Sequence, residues 1–93
     1  KFNNAVLDNV TLNGIFAIQT NFKNVQMENF NILNSWFQSV SFNEANMTNG
    51  NLDGSTLVDV EFINTDLYNT MISENFSVGN NNFNCKNNDM CDK

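Results

Sequence analysis

The amino-acid sequence predicts an all-β solenoid, a backbone wound into square coils of twenty residues with each coil resting on the one before. Three observations predict it. Phe2, Phe22, Phe42 and Phe62 recur at an interval of twenty. Between them an apolar residue returns at every fifth position: Phe2, Leu7, Leu12, Ala17, Phe22, Met27, Ile32, Phe37, Phe42, Met47, Leu52, Leu57, Phe62, Leu67 and Ile72, with Ala17 the one small member. Folded into rows of four, the series sorts into columns of like side chains, Phe2/Phe22/Phe42/Phe62, Leu7/Met27/Met47/Leu67, Leu12/Ile32/Leu52/Ile72 and Ala17/Phe37/Leu57. A helix would give steps of three and four and a half-buried strand a step of two, so a sustained step of five fits neither. Self-similarity at a fixed period is the signature of stacked coils that bury one another's apolar sides.

Taken in order, the first coil spans residues 1 to about 19 and begins in phase at Phe2, so one edge of it would expose unpaired strand backbone. Along every coil the residue two before each apolar centre is small or apolar, as at Ala5, Val10, Ile15, Val25, Phe30, Val40, Ala45, Gly50 and Val60, or is Ser or Thr. Side chains two apart on an extended segment point the same way, which places both positions in the lumen. Volume is shared between them: small Ala17 is accompanied by Ile15, whereas large Phe37 and Leu57 are accompanied by Ser35 and Ser55. Two residues after the centre stands Asn in Asn4, Asn9, Asn24, Asn29, Asn34, Asn49, Asn64 and Asn69, or Gly in Gly14 and Gly54. Both residue types tolerate positive φ and suit a corner every five residues. Pro, which would remove an amide donor from the ladders, is absent.

After Ile72 the phase fails, since Ser77 falls where a centre is due. A one-residue bulge near Ser73 to Asn75 restores it, making Val78 and Phe83 centres and turning Phe76 inward. The β-helix thus occupies residues 1–84, about four coils, and a polar segment bracketed by Cys85 and Cys91 occupies 85–93. With no His and no further Cys for a zinc site, the two cysteines read as a disulfide, worth roughly 2 to 2.5 kcal/mol in the loop-entropy model; two reduced thiols are the alternative.

The repeat, best seen in "NGNLDGSTLVDVEFINTDLYNT", resembles the pentapeptide-repeat family, whose consensus is A-(D/N)-L-x-x and whose fold is a right-handed quadrilateral parallel β-helix. The resemblance covers residues 1 to about 72 and implies a fold, not a function. Within that family the chain is similar to the luminal domain of the synaptic vesicle glycoprotein 2 group, through "SVSF" at Ser39 to Phe42, "FINTDLYNT" at Phe62 to Thr70, and a sequon ten residues ahead of a cysteine at Asn75 and Cys85. It departs from that group in having no Cys within its coils and more Ile and Leu. The resemblance implies a loop of a membrane-spanning vesicle protein that faces the vesicle lumen and then the cell exterior. It also implies a receptor surface for the receptor-binding domain of a clostridial neurotoxin, which would pair with the strand edge between about Ile72 and Phe83, Val78 included, and touch a glycan on Asn75.

Composition excludes other classes. A net charge of −6 with four Lys argues against nucleic acid, whose backbone demands cations. No apolar run approaches the ~18 residues of a membrane span. The chain has neither His nor Arg, its carboxylates are scattered over corners and outward faces, and the lumen is filled by side chains; the expectation is a non-enzymatic, monomeric domain with no cofactor, metal or nucleotide site. Since it starts within a repeat and without an initiator Met, the chain reads as a fragment of a larger protein or as a mature secreted product. Candidate positions for contact are sparse. Phe16, Ile18, Trp36 and Val58 point outward on the fourth face, expected above one another, as a docking patch or partly covered by the C-terminal segment. Sequons occur at Asn9, Asn46 and Asn75, and with a disulfide they favour the secretory pathway. Two further resemblances compete. One is to acidic repeat proteins that imitate DNA and bind gyrase, although this solenoid would stand only about 20 Å tall at ~4.8 Å per coil and only Asp8 over Glu28 forms a row. The other is to secreted repeat proteins whose role is spacing or adhesion.

Overall fold

The computed structural model describes residues 2–72 and 79–91. Its strands are short, three residues each: β1 (Thr11–Asn13), β2 (Phe16–Ile18), β3 (Gln26–Glu28), β4 (Asn31–Leu33), β5 (Trp36–Gln38), β6 (Asn46–Thr48) and β7 (Thr56–Val58). All pair in parallel, β1 with β4, β2 with β5 and then β7, and β3 with β6. In every pair the register is twenty residues, as in Leu12↔Ile32, Ala17↔Phe37↔Leu57 and Met27↔Met47. A fourth ladder runs through single bridges, Asn21↔Ser41↔Glu61↔Asn82. The twenty-residue coil is therefore set by the backbone itself, with four ladders standing along four sides. No helix occurs among the described residues.

The corners explain why the strands stop at three residues. From residue 4 to residue 69, every fifth residue has positive φ: the eight asparagines, Gly14, Gly54, and also Gln19, Ser39, Glu44 and Asp59. A left-handed residue reverses the local backbone direction and cannot belong to a strand. Asn and Gly occupy such angles at small cost, while other residues lose on the order of 1 kcal/mol. Asparagine adds a second contribution, because side-chain amides link successive corners: Asn24 Nδ2 donates to Asn4 Oδ1 (2.8 Å), Asn29 to Asn9 (3.4 Å) and Asn69 to Asn49 (2.9 Å).

Many corner amides are satisfied in one of two ways. At some corners the amide two residues before the next centre bonds within its own turn, as in Val25 N to Phe22 O and Thr65 N to Phe62 O. At others that bond is replaced by a side chain of the coil above: Ile15 N donates to Ser35 Oγ (3.1 Å), Ser35 N to Ser55 Oγ (3.2 Å), Gly50 N to Thr70 Oγ1 (3.3 Å) and Val60 N to Asn81 Oδ1 (2.8 Å). The buried hydroxyls of Thr65 and Thr70 donate in turn to Phe42 O and Met47 O. These polar lumen residues close a backbone account that Ala or Val would leave open.

Both residues expected inward are inward. In the column that opens the sequence the rings lie nearly parallel, with centroids 4.9 Å apart for Phe2–Phe22 and Phe22–Phe42 and 5.3 Å for Phe42–Phe62. Beyond area burial, each such pair contributes about 0.5–1.5 kcal/mol. Phe2 is 45% exposed and Leu7, Leu12 and Ala17 are half-buried, whereas their counterparts one coil on are all but sealed, because the first coil is covered on one side only. Volume sharing extends to a pair that the columns alone did not reveal. A methyl group on Gly50 would fall 2.1 Å from the Phe30 ring, which already fills the space of the absent side chain.

At the C-terminal side the phase shift is present. Phe83, one residue later than strict repetition requires, stacks on Phe62 at 5.2 Å and is buried. Asn82 bridges Glu61 at an offset of 21, but Lys86 bridges Asp66 at 20. One residue is thus gained before Asn82 and lost again at Cys85, which spans alone the corner that Asn64 and Thr65 form below. The bulge expected at Ser73 to Asn75, the inward turn of Phe76 and the centre at Val78 lie outside the described residues.

Two substitutions test this account by chemical denaturation. Glu44→Asn relieves a strained corner and surrenders only an exposed 4.0 Å contact with Lys23, so a gain of about 0.5 kcal/mol is expected. Gly50→Ala should cost about 1–3 kcal/mol by overpacking, and much of that loss should return in the Phe30→Leu/Gly50→Ala double variant.

Candidate functional site

With the lumen packed and the ladders paired, the chemistry open to a partner lies in outward side chains and at the ends of the spiral. Among the described residues no group of three or more His, Cys, Asp or Glu is placed to hold a metal ion. Three outward regions stand out.

The first is the face of β2, β5 and β7. Phe16 (67% exposed), Ile18 (44%) and Trp36 (38%) project from it. They do not form the single stack expected of them. Register puts Phe16, Trp36 and Thr56 in one column and Ile18, Gln38 and Val58 in another, two residues along the strand. Polar Gln38 therefore interrupts the aliphatic column, and only the aromatic pair is continuous, with centroids 6.0 Å apart and planes tilted by 38°. Trp36 Nε1 donates to Gln38 Oε1 at 3.2 Å, tying the two columns together. Val58 is half-buried, and Gly79 packs against it so closely that a methyl at Gly79 would sit 3.3 Å from Val58 Cγ1. The C-terminal segment thus covers that end of the face and leaves the aromatic end open.

The second region escaped the sequence reading. At the corner following that face an open groove of about 550 Å³ runs along the spiral. One wall is the column of Gln19, Ser39, Asp59 and Asn80, and the other is the bridge ladder of Asn21, Ser41, Glu61 and Asn82. Taken singly, each of these residues reads as turn chemistry. Only the twenty-residue register, with its one-residue shift before Asn82, brings them together.

The third region is the C-terminal closure. A disulfide joins Cys85 to Cys91, and Cys91 is buried with the core. Inside the loop Asn88 acts as a cap: its Nδ2 donates to Leu67 O (3.0 Å) and Thr70 O (2.8 Å), and its Oδ1 accepts from Met90 N (3.0 Å). Asn87 Nδ2 adds a bond to Asp66 Oδ1 (3.0 Å). Carbonyls at the last coil that would otherwise face water as an open edge are thereby occupied. Among the described residues the remaining ladders end on β7, Met71 and Asn82. Phe83, named with the pairing edge, holds its side chain in the core, so only its backbone is left for such pairing.

Of the sequons, Asn9 is exposed at a corner, and its bond with Asn29 engages Oδ1 rather than the nitrogen a glycan would take. Asn46 is exposed on β6. Asn75 and Val78 lie outside the described residues. Asp8 does stand one coil before Glu28, and its Oδ1 accepts from Glu28 N at 2.9 Å.

Asn88→Ala should remove three hydrogen bonds while sparing the disulfide. We expect a loss of about 1–3 kcal/mol, together with faster amide exchange at Met90 and Cys91 while Phe42 and Met47 stay protected.

No curated protein matches the chain. Residues 37–73 match the family model of the pentapeptide repeats in eight copies, a match that agrees with the five-residue corner spacing and parallel pairing of the described part of that stretch.

Proposed function

We propose that the domain is a non-enzymatic interaction module carried on the luminal or extracellular side of a membrane, wound as a right-handed four-sided spiral of about four coils and similar to the luminal domain of synaptic vesicle glycoprotein 2. The observation that carries this reading is the Cys85–Cys91 disulfide with Cys91 packed into the core, because such bonds persist in oxidising compartments and are rare elsewhere. Exposed sequon asparagines at Asn9 and Asn46 support the same compartment. A protein partner is the natural ligand of a body whose backbone ends in unextended parallel ladders. Met71 with Ile72 and Asn82 with Phe83 supply the edge on which a strand from a clostridial neurotoxin receptor-binding domain would add, and the resemblance implies a further contact with a glycan on Asn75.

Expression through a eukaryotic secretory pathway tests the compartment. The intact mass should fall on treatment with an N-glycosidase and rise by two hydrogens on reduction; unmodified asparagines with free thiols would instead assign the chain to a reducing compartment. Immobilised neurotoxin receptor-binding domain should retain the glycosylated protein, and Asn75→Gln should weaken that retention.

A further inference from the structure

The corner groove shares Asn82 with the strand edge just invoked, but its side-chain chemistry selects a different ligand. Its four-rung ladder is satisfied within the spiral, since Ser41 N donates to Thr20 O, Glu61 N to Val40 O and Asn82 N to Val60 O. Below the open rung at Asn82, a peptide seeking main-chain pairing finds no backbone to use. Anions meet Asp59 and Glu61 with no lysine in the lining, and apolar ligands meet only Val40, which is buried. What the groove does offer is a regular array of side-chain donors and acceptors at the ~4.8 Å spacing of the coils.

Those side chains are held in place before any ligand arrives. Asn21 Oδ1 accepts from Lys23 N (2.8 Å), Ser41 Oγ from Asn43 N (3.3 Å) and Asn82 Oδ1 from Asn84 N (2.9 Å), which leaves the Nδ2 groups of Asn21 and Asn82 as donors. Asn43 Nδ2 holds Glu61 Oε1 at 3.0 Å, and Asp59 Oδ1 accepts from Asn80 N at 3.4 Å, so each carboxylate keeps a second oxygen as an acceptor. Preorganised groups of this kind lose little entropy on binding. Beside the groove stands the aromatic column. Trp36 is three residues from Ser39, about 10 Å along an extended chain, and its indole is held by Gln38.

We propose that this corner binds a neutral oligosaccharide. The hydroxyls of the sugar bond to Asp59, Glu61, Asn21 and Asn82, and the C–H face of a neighbouring ring rests on Trp36. Paired hydroxyls match fixed carboxylate and amide groups, an aromatic surface on the adjoining face, within reach of a second sugar ring, matches a pyranose face, and the acidic lining rejects sialylated or sulfated chains.

Trp36 is the one tryptophan of the chain, so its fluorescence reports on the site. Chitotriose, cellotriose and mannotriose are titrated into the folded domain to about 10 mM, with sialyllactose as the anionic comparison, and amide shifts are followed in parallel. At least one neutral trisaccharide should produce a saturable fluorescence change with a Kd near 1 mM, about 4 kcal/mol of binding free energy. Shifts should gather at residues 19–21, 39–41, 59–61 and 80–82. Asp59→Asn and Glu61→Gln should each weaken binding about tenfold, with circular dichroism unchanged; Asn suits the positive φ of position 59. The proposal is overturned if no neutral trisaccharide perturbs these residues, if sialyllactose binds as well, or if both variants bind like the parent. None of these results bears on neurotoxin binding at the strand edge.

Discussion

A chain that turns a corner every five residues must place one residue in five at left-handed backbone angles, and that demand governs this molecule from residue 4 to residue 69. The strand between two corners has room for only three residues, too few to be stable alone. Stability therefore comes from repetition: each coil is a poor structure that becomes adequate when another lies on it. Register must then hold at twenty, or a slip must be absorbed at the corners as it is before Asn82 and at Cys85, since an uncompensated slip would put a corner over a strand and an outward side chain over the lumen. The four residues at these corners that are neither Asn nor Gly show that the superposition tolerates local strain. An uncompensated lapse of register would misalign the ladders that follow it, whereas a strained corner costs only itself.

The same logic explains the lumen. With two inward positions per side and a cross-section shared by all coils, volume has to be conserved around each coil rather than at each site. Phe30 over Gly50, and Ala17 in the column of Phe37 and Leu57, are local solutions to that sum. Buried Ser and Thr solve a different problem. At Ile15, Ser35 and Gly50, where the amide makes no turn bond, a hydroxyl from the following coil accepts it, so Ser35, Ser55 and Thr70 serve the backbone and give the core polarity a structural use.

Most of this was legible in the sequence because a five-residue period has no competing explanation, and the positions of Phe22, Phe42 and Phe62 determine the rest of each coil. The failures share a physical cause. Spacing along the chain is not position across the coils: the sequence suggests one stack of Phe16, Ile18, Trp36 and Val58, although residues two apart on a strand belong to neighbouring columns. The groove was missed because Gln19, Ser39, Asp59 and Asn80 are each ordinary corner residues, and their meeting depends on where the phase shift falls. That shift was readable, since Phe83 demanded a lumen position. Its cancellation at Cys85 was not, because a corner shortened by one residue leaves no apolar marker in the sequence.

In a body of this kind the backbone is almost wholly consumed in holding the coils together, and the interior is too full to admit anything. Recognition is thereby restricted to the ends of the ladders and to side chains that the register gathers into columns. The two call for different partners. A ladder end offers main-chain groups and accepts any extended strand of suitable edge chemistry, so discrimination there must come from something added, such as a glycan beside it. A column offers one side chain every coil at fixed height, so its discrimination is built in and can be changed one residue at a time without disturbing the spiral. The disulfide and the Asn88 cap bear on the first kind only: they occupy carbonyls of the last coil at Leu67 and Thr70, away from the aromatic pair and from the groove, whose last rung at Asn82 is also a ladder end.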